Sequence, residues 1–334
     1  MTLPRVDIIA LGGTIASMPG AAGVTPTLTA DQLIAAVPQI GEIAHVTAAT
    51  ISNVPSVEIS FETLLSIRER INAVVAAGTA GVVITQGTDT IEETAFALDL
   101  LLQVDCPVVI TGAMRHPTQP GADGPANLLA AVGCAASSTC RNLGIIVTLD
   151  DDIHAARFVQ KRHASAPDAF QSRFLLGRMS EGKPVIYLRP TNQRIAQIPS
   201  TARTPFVAII KPGLDDDGRL IEAALQAGVQ GLVLELSGTG HAKISVADVA
   251  EKAAKSIPVI FASRTGAGRV LSSTYGQPGA EIDLLRRGLR GAGDLDPLKA
   301  RLLLMVLLMA NATDRFAEFA DLSVTSVEKG EKSQ

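Results

Sequence analysis

Hydroxyl and carboxylate side chains cluster directly after one apolar segment of the sequence. Residues 82–95, VVITQGTDTIEETA, open with a run typical of a buried strand and take the pattern of a helix from Ile91 onward. Thr88 and Asp89 therefore lie in the turn between strand and helix, where α/β proteins place their chemistry. A threonine hydroxyl is a poor nucleophile at neutral pH, so nucleophilic catalysis here requires a neighbouring base and a group that orients that base.

Helix capping explains part of this cluster without any function. Thr90 and Glu93 have the T-x-x-E spacing of a capping box, and the helix dipole favours Asp89 near a helix N-terminus. Capping does not require Thr88, and the preceding Gly87 indicates a sharp bend or a close approach of the backbone to another group. These residues alone leave both a cap and a functional site open.

Two further strand-end loops have the same character. LGGTIAS places Thr14 behind two glycines, and TGAMRHPTQPGADGPANL places Gly112 and Ala113 directly after another apolar run. Ligands of parallel sheets bind outside the carboxyl ends of the strands, so these loops and the Thr88 turn could converge on one crevice. A nucleotide site is the alternative, but GGTIAS has neither the G-x-G-x-x-G pattern nor the Lys-Ser/Thr ending of a P-loop.

The candidate base is a lysine, because no histidine lies beside these threonines. Lys161, in ARFVQKRHASAPDAFQS, is the only lysine before Lys183, and a lysine kept neutral by burial can act as a base. An exposed loop lysine is the structural alternative, and the residues around Lys161 favour it. The five histidines are better explained as surface or core residues than as metal ligands.

Composition limits the class of protein. A chain of 334 residues is expected to form two domains, and 47% hydrophobic with only 3% aromatic residues indicates cores of Ala, Val, Leu and Ile, as in parallel sheets covered by helices. A net charge of -4 gives no electrostatic basis for binding nucleic acid or an anionic membrane.

The cysteines and the apolar segments bear on the compartment. Cys106, Cys134 and Cys140 lack zinc-ligand spacing and lie in apolar surroundings, which indicates free buried thiols in a reducing compartment. The amino-terminal apolar run is too short for a secretion signal, and the apolar segment 302–310 is too short to span a membrane. We therefore expect a cytoplasmic protein without a membrane partner.

Short apolar strands alternate with helical segments along the chain, which predicts an α/β fold with a mainly parallel sheet. The predicted strands are 6–11, 81–85, 107–111, 144–149, 207–211, 231–236 and 257–262. The predicted helices lie near 29–37, 61–77, 90–103, 124–137, 219–227 and 245–255, with a long helix from about 297.

A proline-containing stretch without sustained periodicity, residues 185–206, indicates a boundary between two domains. We expect a larger N-terminal catalytic domain over 1–190, a linker over 191–205 and a smaller C-terminal α/β domain over 206–334.

Several of these segments resemble, in order, the signature blocks of the bacterial-type L-asparaginases. The segments are IIALGGTIAS, GVVITQGTDTIEETA, PVVITGAMR, GADGPANL and VQKRHASAPDAFQS, with DPLKARLLLMVLL near the C-terminus. The resemblance covers nearly the whole chain. It implies hydrolysis of the side-chain amide of L-asparagine to L-aspartate and ammonia through an acyl-enzyme, without a metal or cofactor. It also implies a homotetramer, a dimer of dimers with shared active sites.

The resemblance also implies catalytic roles by motif position. Thr14 would be the nucleophile, and Thr88, Lys161 and Asp89 would be the second threonine, the base and the orienting carboxylate. Asp89 would in addition bind the substrate ammonium. A preorganised backbone N–H of Thr88 would stabilise the developing oxyanion.

Substrate contacts are implied in the same way. Ser56 would bind the α-carboxylate, a backbone group of Ala113 would meet the leaving amide, and Glu281 would reach the ammonium from the neighbouring subunit. Val57 follows Ser56 where the family usually has a Gln that contacts the substrate, and residues 17–30 lack the usual lid Tyr. We therefore expect weak asparagine binding and still lower glutaminase activity.

Two alternatives to an asparaginase remain from the sequence. One is a related amidohydrolase that acts on another ω-amide or on a D-amino acid. The other is a non-catalytic amino-acid-binding protein on the same scaffold, although a binding protein would have no use for two threonines and a lysine.

Overall fold

The computed structural model describes residues 2–21, 23–190, 195, 198 and 202–321. The chain forms two compact units, Met1–Arg194 and Ile195–Gln334. Most of the predicted linker, 191–205, lies outside the described residues, so the domain boundaries stay predictions.

The strands of the first unit precede and follow helices in the expected alternation. Its strands are β1 (Arg5–Ala10), β2 (Ser17–Gly20), β3 (Gly23–Pro26), β4 (His45–Thr50), β5 (Gly81–Thr85), β6 (Val108–Thr111), β7 (Ile145–Leu149), β8 (Asp152–Ala155), β9 (Val159–Lys161), β10 (Phe170–Ser172), β11 (Leu175–Ser180) and β12 (Lys183–Ile186). Its helices are α1 (Ala30–Ala35), α2 (Ile40–Ile43), α3 (Phe61–Ala76), α4 (Ile91–Leu101) and α5 (Gly124–Ala136).

An eight-stranded sheet forms the centre of this unit, in the order β12-β11-β8-β7-β6-β5-β1-β4. The five strands from β7 to β4 are parallel, and β8, β11 and β12 extend the sheet in antiparallel fashion. Val83 and Val109 pack with Ala131 of α5 in one core cluster, while α4 packs against β6 and β7. Helices on both faces explain why β5 is buried along its whole length.

The second unit repeats the parallel arrangement on a smaller scale. Its strands are β13 (Val207–Ile210), β14 (Gly231–Leu236), β15 (Val259–Ser263) and β16 (Arg290–Gly291), which form one parallel sheet in that order. Its helices are α6 (Arg219–Gln226), α7 (Ile244–Ala254), α8 (Glu281–Arg286), α9 (Pro297–Met309) and α10 (Phe316–Ala320). The predicted α/β class, with a larger mainly parallel first part and a smaller second part, is confirmed.

Every strand and helix predicted from the sequence is present, with ends that shift by at most two residues. The elements that the pattern missed are the short or half-exposed ones, among them β4 and β8–β12. Strand β4, HVTAAT, lies at the sheet edge and alternates exposed with partly buried residues, so it lacks the apolar run that marks the central strands. Among the described residues, no helix is both long and apolar enough to cross a bilayer.

A two-stranded ribbon, β9 paired with β10, carries Lys161 opposite Phe170. The alternative of an exposed loop lysine is therefore wrong, since Lys161 ends a strand and its side chain is only 12% exposed. His154 of β8 joins this ribbon to the main sheet, because its Nδ1 lies 2.8 Å from Ser172 Oγ in β10. Its Nε2 is buried and has no hydrogen-bond partner among the described residues.

Burial lowers the pKa of His154 from 6.5 to about 4. Because the folded state favours the neutral ring, the stabilisation is complete above about pH 6.5 and is lost as the pH falls toward 4. We expect the folded protein to lose about 2 kcal/mol between pH 7.5 and pH 5 through this residue. Denaturant unfolding at both pH values measures the loss. His154→Gln should reduce the pH dependence, while His45→Gln, at an exposed position, should leave it unchanged; equal slopes in all three proteins would contradict the assignment.

Candidate active site

Four neighbouring strands of the first unit end at the same level, and each is followed by a predicted site residue. Across the sheet the order is β6, β5, β1, β4, and Ala10 at the end of β1 is opposite Thr85 on one side and Thr50 on the other. Thr85 is in turn opposite Thr111 of β6. The chain leaves β1 for β4 on one side and continues to β5 on the other, which makes this a topological switch point where ligands bind.

Backbone contact between glycines brings the β1 and β5 loops together. A Cβ atom at Gly13 would lie 2.0 Å from the backbone nitrogen of Gly87, and Gly13 has a φ of 84°. Only a residue without a side chain allows both the backbone conformation and the contact. Thr14 and Thr88, each the next residue in its loop, are therefore held on touching segments.

The loops after β4 and β6 are also in close contact with the Thr88 turn. A Cβ atom at Gly87 would lie 3.0 Å from Ser56 Oγ, in the segment that follows β4. A Cβ atom at Gly112, after β6, would lie 2.7 Å from the Gln86 carbonyl oxygen and 3.2 Å from Thr88 Cγ2. All four strand-end loops thus pack into one cluster.

Lys161 is directed at the Thr88 turn. Its Nζ donates a hydrogen bond to Thr88 Oγ1 at 2.9 Å and lies 2.5 Å from Asp89 Oδ1. Thr88 is buried, whereas the Asp89 side chain is 67% exposed. The three groups form a hydroxyl, amine and carboxylate series at hydrogen-bond distances, which is an arrangement suited to proton transfer.

Thr90 does not cap its own helix, so the predicted capping box is wrong. It stands at the N-cap position of α4 without a side-chain cap hydrogen bond. Its Oγ1 donates instead to the carbonyl oxygen of Ser56 at 2.9 Å. The hydroxyl that sequence spacing assigns to the helix thereby attaches the Ser56 segment to the Thr88 turn.

Three buried polar atoms in this cluster have no hydrogen-bond partner among the described residues: Ser56 Oγ, Thr85 Oγ1 and Gln86 Oε1. Native proteins seldom leave such atoms unpaired unless a ligand or water completes them. Nothing in the sequence indicates a role for Gln86, because a glutamine after a strand carries no specific signal.

The remaining predicted site residues lie in the segments after the strands of the first unit, apart from one in the second unit. Thr14 begins a single 3-10 turn and is partly exposed, Ala113 is fully buried after β6, and Val57 is 64% exposed beside Ser56. Glu281 belongs to the second unit. Among the described residues, no group of three or more His, Cys, Asp or Glu side chains is arranged to hold a metal ion.

Glu281 is fully buried within its own unit. One carboxylate oxygen accepts from the backbone N–H groups of Thr274 and Tyr275, at 3.0 and 2.6 Å, and the other lies 3.2 Å from His241 Nε2. Burial raises the pKa of Glu281, but these hydrogen bonds outweigh it, and the pKa lies below its ordinary value. Its predicted contact with a substrate in a neighbouring subunit stays a prediction.

Comparison with known families accounts for both units. The family described as Asparaginase, N-terminal matches residues 5–192, and the one described as Glutaminase/Asparaginase C-terminal domain matches residues 206–320. The chain belongs to the asparaginase family. The resemblance expected from the sequence blocks is confirmed, and so is the expectation of an enzyme, because this is a family of hydrolases.

Individual members of the asparaginase family match most of the chain. L-asparaginase 2 of Bacillus subtilis is 37% identical over 322 residues, covering 92% of this chain and 83% of that protein. Glutaminase-asparaginase of Pseudomonas fluorescens biotype A is 33% identical, covering 92% and 86%. The crystal structure of a probable cytoplasmic L-asparaginase from Campylobacter jejuni superposes with a TM-score of 0.84 at 34% identity, covering 94% and 99%. For this chain, a cytoplasmic location stays a prediction.

The segment where the asparaginase family usually has its lid Tyr forms a hairpin here, β2 paired with β3. Gly23 begins β3 with a φ of 106°, a conformation that tyrosine adopts only with strain. Val24 follows and its side chain is exposed. A tyrosine introduced to restore the lid therefore fits position 24 better than position 23.

In this asparaginase-family fold, Gly13→Ala should lower the melting temperature more than Gly182→Ala does. Both glycines have positive φ, 84° and 73°, so alanine strains the backbone at each position, and more at Gly13, whose ψ of -176° places it in a region essentially restricted to glycine. A Cβ atom at Gly182 meets nothing within 4 Å, whereas at Gly13 it collides with Gly87, and overpacking adds about 1–3 kcal/mol. Thermal unfolding of the two variants and the parent measures the difference; equal shifts would contradict the loop contact.

Proposed function

We propose that this asparaginase-family protein hydrolyses the side-chain amide of L-asparagine to L-aspartate and ammonia through a threonine acyl-enzyme. The observation that carries the proposal is the pair of contacts made by Lys161 Nζ, 2.9 Å from Thr88 Oγ1 and 2.5 Å from Asp89 Oδ1. A purely structural lysine would not need a buried threonine hydroxyl and a carboxylate at the turn where four loops meet.

Thr14 is the proposed nucleophile. Its Oγ1 attacks the amide carbon, its proton passes to the departing nitrogen, and ammonia leaves an ester on Thr14. Water then attacks the ester carbon, a water proton returns to Thr14 Oγ1, and aspartate is released. The two steps replace one difficult displacement by water.

Thr88, Lys161 and Asp89 are proposed to transfer the protons. As Thr14 attacks, its proton passes through the Thr88 hydroxyl, or through a water beside it, to Lys161 Nζ, which returns it to the departing nitrogen; in the second step a proton of the attacking water follows this route back to Thr14 Oγ1. The Asp89 carboxylate stabilises the ammonium that forms and keeps Nζ directed at Thr88, the role that a buried carboxylate has in other triads. The N–H groups of the Thr88 turn are then available to the developing oxyanion.

The proposed substrate contacts follow from the unpaired and exposed groups around this centre. Ser56 Oγ, which is buried and has no partner in the described part of the chain, would donate to the α-carboxylate. Asp89, with its largely exposed carboxylate, would accept from the α-ammonium. The N-terminus of α4 would offset negative charge in the site.

Ammonia release from a panel of L- and D-asparagine, L- and D-glutamine and small amides tests the function. We expect L-asparagine to be hydrolysed fastest, with glutamine slower because the exposed Val57 offers no amide to anchor the longer substrate. Thr14→Val, Thr88→Val and Lys161→Met should each reduce kcat by at least about a hundredfold with little change in melting temperature.

Lys183→Met is the matched control for Lys161→Met, since Lys183 is an exposed lysine of the same unit. Near-parental turnover by Thr88→Val would contradict the two-threonine mechanism. Preference for a D-amino acid or another amide would establish the related amidohydrolase instead. Binding of L-asparagine without any ammonia release would establish the non-catalytic binding protein.

We further propose that the protein is a homotetramer, a dimer of dimers, in which Glu281 completes the active site of a neighbouring subunit. The supporting observation is electrostatic: the lowered pKa of Glu281 keeps its carboxylate ionised, as binding of a substrate ammonium requires. In this proposal the backbone bonds from Thr274 and Tyr275 orient the carboxylate.

Co-expression of two weakly active variants tests the shared site. Lys161→Met and Glu281→Gln, each weakly active alone, should together recover about a quarter of the parent activity, because half of random dimers are mixed and one of their two sites is intact. Two differently tagged copies of Lys161→Met are the control for mixing. Recovery that stays at the level of this control in purified mixed oligomers would contradict the assignment.

A further inference from the structure

Asp123 holds a turn rather than its own helix. It occupies the N-cap position of α5, where an aspartate ordinarily accepts from the first helical N–H groups, yet it makes no such bond. Its two carboxylate oxygens instead accept from the backbone N–H groups of Met114 and Arg115, both at 2.8 Å. The carboxylate is therefore bound to the segment directly after Ala113.

Asn127 attaches to the other side of the same turn. Asn127 lies in α5, and only 3% of its surface is exposed. Its Nδ2 donates to the Gly112 carbonyl oxygen and to Asp123 Oδ2, each at 3.1 Å, and its Oδ1 accepts from the backbone N–H of Asp150 at 3.0 Å. The amide thereby connects the loop after β6 with the turn after β7.

Ala113 lies between these two attachments with its own backbone groups unused. The residue is fully buried, and among the described residues neither its N–H nor its carbonyl has a hydrogen-bond partner. Buried backbone groups are almost always paired. Its neighbour Gly112 packs against Thr88 Cγ2, so the Ala113 turn is held against the Lys161-contacting threonine.

We propose that Asp123 and Asn127 are positioning residues that hold the Gly112–Ala113 turn so that the Ala113 carbonyl accepts a hydrogen bond from the nitrogen that leaves as ammonia. This inference rests on the proposed function. The pair contacts neither the substrate nor the reacting atoms and acts only through the turn. A rigid acceptor keeps the leaving nitrogen oriented while the bond to carbon breaks.

Helix capping alone would not explain the pair. A carboxylate at the N-cap position stabilises a helix by accepting from the helix itself, and Asp123 does not do so. A buried asparagine with both ends bonded to loop backbone likewise adds nothing to the helix that contains it. Asp123 binds the backbone directly after Ala113, and Asn127 Nδ2 binds the backbone directly before it.

The first test measures the turn without relying on activity. Hydrogen exchange of the backbone amides over residues 112–115 should accelerate about tenfold or more in Asp123→Asn and in Asn127→Leu. Each substitution disrupts a hydrogen bond that holds the turn. Asp99→Asn is the matched control: Asp99 Oδ1 accepts from the Ile145 backbone N–H at 2.8 Å, away from this turn. Unchanged hydrogen exchange in both Asp123→Asn and Asn127→Leu would overturn the inference.

The second test separates the leaving group from the rest of the site. L-Asparagine is compared with the β-methyl ester of L-aspartate. The leaving group of the ester has no N–H that could donate a hydrogen bond to the Ala113 carbonyl. In Asp123→Asn, kcat for the amide should fall about tenfold or more with KM little changed, while kcat for the ester stays within about twofold of the parent. Asp99→Asn should leave both reactions unchanged.

The outcomes distinguish this inference from the proposed function. A parallel fall for amide and ester would show a general structural role and overturn the assignment to the leaving group, and so would a parental amide rate. Parent protein that releases no ammonia would contradict the proposed function itself. The exchange measurement still decides in that case whether the pair holds the turn.

Discussion

Close backbone contact between strand-end loops is the constraint on which the rest of the active-site architecture depends. A Cβ atom at Gly13 would lie only 2.0 Å from the Gly87 nitrogen, so the β1 and β5 loops pack with no side chain between them. That contact fixes how near Thr14 and Thr88 can be, and it requires the strands beneath to end in register. The aligned ends of β4, β1, β5 and β6 supply that register because parallel pairing sets one level for all four.

Side chains that would ordinarily cap helices are used here to join loops. Thr90 and Asp123 stand at the N-cap positions of α4 and α5 without capping them, whereas Thr29, Ser60 and Asp296 cap α1, α3 and α9 in the usual way. A missing cap costs about 1 kcal/mol per helix. These two helices follow strands β5 and β6, whose loops contain Thr88 and Ala113. Each helix lacks the stabilisation of a side-chain cap because the capping residue fixes the position of a loop instead.

Polar groups in the cluster fall into two sets with different physical states. The bonds of Thr90, Asp123 and Asn127 are satisfied within the protein and rigidify the loops. Ser56 Oγ and the Ala113 backbone are buried and unpaired among the described residues, so they retain hydrogen-bonding capacity for a ligand. Rigid loops that surround unpaired hydrogen-bonding groups are the arrangement expected of a binding or catalytic site.

The sequence by itself determined the elements with strong periodicity and the family, because long apolar strands and helices carry their own signal and the motif blocks are specific. It placed Thr14, Thr88 and Ala113 at strand ends for the same reason. Only the tertiary structure decided that Lys161 meets Thr88, since 73 residues separate them in the chain and local pattern favoured an exposed loop. It also decided that Thr90 and Asp123 bind other loops. The local sequence around a capping residue is the same whether its side chain bonds to its own helix or to a distant segment brought close by packing.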